Sequence, residues 1–173
     1  MSSASAKPAK AASLTFPCVV GNMGSNLRFD YSVLGDSVNL ASRLEGQSKS
    51  YGVPIIAGSA TALAAKDRFA ILELDFITVK GKKEPEVIYA IAGREDMAQS
   101  AQFQRVRNLS IEMLACYRSR DWDGALTAIA RGRGADQTNS FGMFFDLYAE
   151  RIEAFRKTPP PDDWNGVFAL TTK

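Results

Sequence analysis

In the first half of the chain the apolar positions come in short runs separated by glycine and proline, and in the second half they recur every three or four residues. Phe16 to Val20 is a brief apolar run ended by Gly21, which predicts a buried strand. Gly21-Asn22-Met23-Gly24-Ser25-Asn26 has the composition of a turn. Phe29 to Leu34 is aromatic and β-branched and predicts a second strand, which Gly35 breaks. Asp36 or Ser37 can then cap a helix. Within it Val38, Ala41 and Leu44 form the apolar face, while Asn39 and Arg43, four residues apart, share a different face. Ser50 to Pro54 ends this helix, Ile55 to Ala57 reads as a short strand, and Ser59 opens a short helix to about Ala65. Phe69 to Val79 predicts a longer strand, Lys80 to Pro85 a turn, and Val87 to Ile91 the returning strand. Mixed elements with antiparallel pairing near the end point to an α+β fold.

Beyond Gly93 the pattern becomes helical throughout. Phe103, Val106, Leu109, Met113 and Tyr117 make one amphipathic stripe. Trp122, Ala125, Leu126 and Ile129 make a second after a break at Ser119-Arg120-Asp121, and Phe141, Phe145, Tyr148, Ile152 and Phe155 make a third. Pro159-Pro160-Pro161 stops the last helix, and Trp164 is placed to fold back onto it. The spacing of Tyr117, Trp122 and Ala125 is similar to one tetratricopeptide-type helix pair. A single repeat cannot bury a solenoid core, so a docked appendage is expected over residues 94–173. At the other end, residues 1–16 begin with Ala, Ser, Lys and Pro and read as a disordered leader. They lack the apolar stretch of a secretory signal, and no run in the chain reaches the roughly 18 apolar residues of a membrane span.

Composition narrows the chemistry. A chain of 173 residues accommodates one domain, or a small domain with an appendage. Residues 1–93 carry ten basic and eight acidic side chains and residues 94–173 carry eleven of each, so no basic stripe points to nucleic acid. Cys18 and Cys116 form no C-x-x-C pair and read as free thiols in a reducing compartment. The chain has no histidine, which removes histidine metal sites and histidine general bases.

Read by spacing alone, Asn39 and Arg43 are a solvated helix face, Val79-Lys80-Gly81-Lys82 is a hairpin turn, and Ser32 is an ordinary strand residue. Gly21 and Gly24 are not a phosphate loop, because no Gly-Lys-Ser/Thr follows them. Asp30 is an ordinary acidic residue and Asp36 a helix cap.

The stretch from Pro17 to about Ala92, with Val38-Asn39-Leu40-Ala41-Ser42-Arg43 at its centre, resembles the second half of the catalytic domain of class III nucleotidyl cyclases. That family turns ATP or GTP into a 3′,5′-cyclic nucleotide and pyrophosphate, a phosphorus–oxygen lyase reaction of cyclic-nucleotide signalling. The resemblance implies a partial ferredoxin-like domain over residues 17–93, followed by an all-α, tetratricopeptide-like tail over residues 94–173. It implies that Asn39 holds the ribose and that Arg43 binds phosphate in the transition state. Lys80, the first lysine of V-K-G-K, would reach the terminal phosphates, and Lys82 is the weaker candidate. Ser32 stands at the base-reading place, where a small hydroxyl closest to threonine favours adenine, hence ATP over GTP. Mg²⁺ or Mn²⁺ is expected for the family, but neither Asp30 nor Asp36 aligns with its metal aspartates, so no metal ligand is assigned.

Family members are head-to-tail dimers with sites across the interface. The resemblance therefore implies a homodimer, or a heterodimer with a complete cyclase protomer. The sixteen residues before Pro17 do not resemble the metal-binding half, so the chain by itself is expected to be inactive, with unpaired sheet edges and an exposed apolar face. Three readings stay open. One is an adenylate cyclase-like fragment of bacterial type without activity of its own. Another is a regulatory module that pairs with a complete cyclase. In the third, residues 94–173 act as a helical adaptor. The expected location is the cytoplasm, or the cytoplasmic end of a membrane-tethered parent.

Overall fold

A computed structural model describes residues 11–13, 19–25, 28–34, 36–79 and 84–170. The described elements are β1 (Ala11–Ser13), β2 (Val19–Ser25), β3 (Arg28–Leu34), α1 (Asp36–Tyr51), β4 (Ile55–Gly58), α2 (Ser59–Ala65), β5 (Phe69–Val79), β6 (Glu86–Arg94), α3 (Glu95–Gln99), α4 (Ala101–Arg118), α5 (Trp122–Ala135), α6 (Gly142–Lys157) and β7 (Phe168–Leu170). Five strands form a mixed sheet in the order β1-β4-β6-β5-β7, and β2 pairs with β3 in a separate ribbon. The two outer pairings, β1 with β4 and β5 with β7, are parallel, and the two inner ones are antiparallel.

Several elements differ from the sequence reading. Gly21 to Ser25 is strand, not turn. The antiparallel ladder runs from Val19 opposite Leu34 to Ser25 opposite Arg28. Satisfying that row of backbone groups outweighs the weak strand preference of glycine. Ala11 to Ser13, inside the stretch read as a disordered leader, pairs with β4, and Ala11 N–H donates to Pro54 O at 2.9 Å. Nor is the segment after residue 93 all-α, because β7 adds to the outer edge of β5. That edge, expected to be unpaired, finds its partner in a strand about ninety residues downstream.

The buried stripe of α1 is Leu40, Leu44, Ser48 and Tyr51, whereas Val38 and Ala41 are half-buried at its margin. The helix meets β1 and β4 on one side and α6 on another, so the positions between those contacts are the most enclosed. Its end follows local chemistry. Gly52 adopts a left-handed φ of 69°, and Val53 N–H donates back to Ser48 O at 3.1 Å, closing a Schellman turn.

β5 alternates until residue 74. Leu72 and Leu74 face the core, and Ile71 and Glu73 face the other side. A bulge between Glu73 and Asp75 then shifts the register against β6, so that Asp75 and Ile77 continue the buried face. Re-aiming a side chain is the usual consequence of such an insertion. The core is continuous. Leu40, Leu44 and Ile56 share it with Leu72, Leu74 and Ile88 of the sheet and with Phe144, Phe145, Tyr148 and Ile152 of α6. The third predicted stripe is therefore the seam between the helical segment and the sheet. Trp164 folds back as expected, with its ring 5.4 Å from that of Tyr117 and 5.2 Å from that of Phe155.

Gly52 also sits under α6. A Cβ there would lie 2.6 Å from Met143 Cβ. Gly52→Ala is expected to cost at least about 1–2 kcal/mol from the left-handed conformation alone, with the clash added. A shifted urea midpoint measures it, and an unchanged midpoint would mean that α6 does not approach α1 so closely.

Candidate functional site

Asn39 and Arg43 lie one turn apart on α1, and Arg43 is half-buried. Ser32 is on β3, opposite Gly21 of β2, and β3 ends two residues before α1 begins. Lys80 and Lys82 lie outside the described residues; Lys80 directly follows Val79, the last residue of β5. The structure thus brings Asn39 and Arg43 onto one helix and puts Ser32 on the ribbon that leads into it. Asp30 stands opposite Met23 in the same ribbon, and Asp36 is the first residue of α1. Among the described residues no three Asp, Glu, Cys or His side chains gather where a metal ion could sit.

A second constellation was missed from sequence. Tyr51, at the end of α1, donates its hydroxyl to Asp75 Oδ2 at 2.6 Å. Arg151 of α6 donates from Nη1 to the same oxygen at 2.6 Å. Asp75 Oδ1 accepts from Phe76 N–H at 2.8 Å, and the Tyr148 hydroxyl donates to the carbonyl of the bulged Leu74 at 2.8 Å. The ring of Phe168 from β7 covers the guanidinium, with Arg151 Cζ 3.5 Å from its centroid. Side-chain exposure is 8% for Arg151 and 1% for Asp75.

Burial raises the Tyr51 phenol far above its ordinary value, and the Asp75 carboxylate raises it further. Tyr148 is raised for the same two reasons. Tyr117 is pushed up to about 12, again chiefly by burial. Burial opposes the charge on Arg151, but the Asp75 carboxylate together with the Tyr51 and Tyr148 oxygens outweighs it and the guanidinium is held protonated. Tyr51 and Tyr148 therefore act as neutral donors beside a fixed ion pair. The available signal was an aspartate inside the apolar run of β5 and an arginine three residues after Tyr148 in an apolar stripe. Pattern alone cannot say that the two meet.

A groove of about 630 Å³ lies on the opposite face of the sheet, between α2 and α4. Phe69, Ile71 and Tyr89 floor it, and Leu63 and Ile111 stand exposed at its rim. Arg43 is not among its described lining residues.

Residues 15–93 match the adenylate and guanylate cyclase catalytic domain. The chain is 38% identical to adenylate cyclase 1 of Rhizobium meliloti (strain 1021) over 46% of its own length and 12% of that protein. It is 38% identical to an adenylate cyclase of Anabaena cylindrica over 42% of its length and 15% of that one. A crystal structure of the adenylyl cyclase CyaB from P. aeruginosa is 35% identical over 43% of this chain and 37% of that one, with a TM-score of 0.38. The chain thus spans only a small part of the curated relatives it matches. Among the described residues no helix is long and apolar enough to cross a membrane. Residues 15–93 of the chain belong to the adenylate and guanylate cyclase catalytic domain family.

Proposed function

We propose that residues 15–93 provide the ribose- and phosphate-contacting side of a nucleotidyl cyclase centre, acting on ATP in preference to GTP. The observation that carries this reading is the family match over a segment whose one long helix, α1, bears Asn39 and Arg43 a turn apart. Cyclisation drives the 3′-oxygen onto the α-phosphorus and expels pyrophosphate. Negative charge grows on the phosphoryl oxygens, and a guanidinium on a rigid helix stabilises it without reorganising. Asn39 orients the ribose so that its 3′-oxygen is near attack distance. Lys80 engages the terminal phosphates, and Ser32 reads the base. Burial of α6 in one core with β5 supports residues 94–173 as part of the same fold rather than a free adaptor. Within them α4 and α5 act as a single tetratricopeptide-type pair, with the Tyr117 and Trp122 rings in contact at 5.8 Å. A second cyclase protomer is the partner, and the site faces the cytoplasm.

Equilibrium binding of ATP and GTP to the 173-residue polypeptide tests the reading. ATP should bind more tightly than GTP, and Arg43→Ala should weaken ATP. Equal binding of both nucleotides would remove Ser32 as base reader. The same polypeptide supplied with ATP and Mg²⁺ or Mn²⁺ should form no cyclic AMP above background, since its sequence carries no counterpart of the family's paired metal carboxylates. Turnover lost on Asp30→Ala or Asp36→Ala would overturn that expectation and identify the ligand.

A further inference from the structure

We propose that Arg151 is a positioning residue: from α6 it locks the last turn of α1 onto β5 through Asp75 and Tyr51, and so places the helix that carries Asn39 and Arg43. Its link to catalysis rests on the function proposed above. The lock itself rests on geometry alone.

Three elements far apart in the chain converge on one carboxylate oxygen. Asp75 Oδ2 takes the Tyr51 hydroxyl from α1 and Arg151 Nη1 from α6, each at 2.6 Å. Arg151 Nη2 also lies 3.4 Å from the Tyr51 oxygen, closing a triangle of β5, α1 and α6. The bulge after Glu73 is what turns Asp75 to this side. Without it, alternation would put the carboxylate on the opposite face with Ile71 and Glu73. Tyr148 then binds the bulged carbonyl from α6, so the same helix secures both irregularities.

Stability does not account for this arrangement. A buried ion pair is often no more stabilising than apolar side chains of equal volume, and here Arg151 Nε has no hydrogen-bond partner among the described residues. What the pair confers is a single geometry. Leu40 and Leu44 hold α1 by alkyl contact, which tolerates sliding, whereas a guanidinium fork and a carboxylate do not. Arg43 lies eight residues before Tyr51, about 12 Å along the same helix. A small rotation at Tyr51 therefore moves the guanidinium of Arg43. Misplacement by about 1 Å can cost about a hundredfold in rate.

The test uses the full 173-residue chain with Arg151→Lys, Arg151→Met and Tyr51→Phe. Tyr51→Phe keeps the ion pair and the ring, and so preserves the fold even if Arg151→Met does not. Hydrogen exchange should quicken in α1 by about tenfold or more in Arg151→Lys and Tyr51→Phe, with α5 unchanged. ATP affinity should fall in the same two variants while their unfolding stays cooperative. Unchanged exchange in α1, or equal acceleration in α1 and α5, would overturn the lock. Selective loosening of α1 with undiminished ATP affinity would overturn the positioning role. If the parent chain binds no ATP, the nucleotide reading fails and the role in catalysis falls with it. The exchange pattern then decides the lock alone.

Discussion

Replacing Arg43 by alanine in a dimer of this chain with a complete cyclase protomer is expected to lower kcat by about 10²–10³-fold, far more than it raises KM. The asymmetry follows from when the contact matters. Charge on the phosphoryl oxygens is present in bound ATP but greatest in the transition state, so a guanidinium aimed there stabilises the transition state more than the ground state. Asn39→Ala should behave similarly, because a ribose free to rotate loses the near-attack geometry. Lys80→Ala should instead raise KM, since the terminal phosphates carry charge before and after reaction. Steady-state kinetics on the mixed dimer separates the two patterns. An intact kcat in Arg43→Ala would remove α1 from the chemistry and leave the helix a purely structural role.

Phe145→Ala is expected to lower stability by about 3–5 kcal/mol. The side chain is fully buried, its ring meets that of Phe144 at 5.3 Å, and it lies against Gly132 of α5. Helices α5 and α6 would line the resulting void, and α6 is tied to β5 through Tyr148 and Arg151, which limits its collapse into the void. Trp122→Ala should cost less, because Trp122 is half-buried and packs beside the core. Denaturant unfolding at constant m-value measures both. A Phe145→Ala chain that loses under 1 kcal/mol would mean that α6 is not the seam described here. For the same reason residues 94–173 should not melt cooperatively when cut from the sheet.

The helices and inner strands were legible because each repeats its apolar positions at its own period. Phe69 to Val79 is strand from end to end, as read, and the predicted stripes of α4 to α6 supply much of the buried face of each. The misreadings share a cause. β1 and β7 are three residues each, too short for any periodicity, and they exist because β4 and β5 offer free edges. Gly21 to Ser25 looked like a turn because glycine propensity is local, whereas its strand pairing is not. The face of α1 was misplaced because α6, about a hundred residues downstream, encloses it from a second side.

The sequence by itself pointed to the family, through the resemblance of the stretch from Pro17 to about Ala92 with Val38 to Arg43 at its centre. Only the tertiary structure decided what holds α1. Asp75 reads as an odd polar residue in a strand, and Arg151 as an odd charge in an apolar stripe. Their meeting depends on a one-residue bulge that turns a side chain to the other face of a sheet, and on an α-helix docked over that face. Local patterns fix periods and caps, which involve neighbours within a few residues. A contact between residues 76 positions apart is set by how the layers stack.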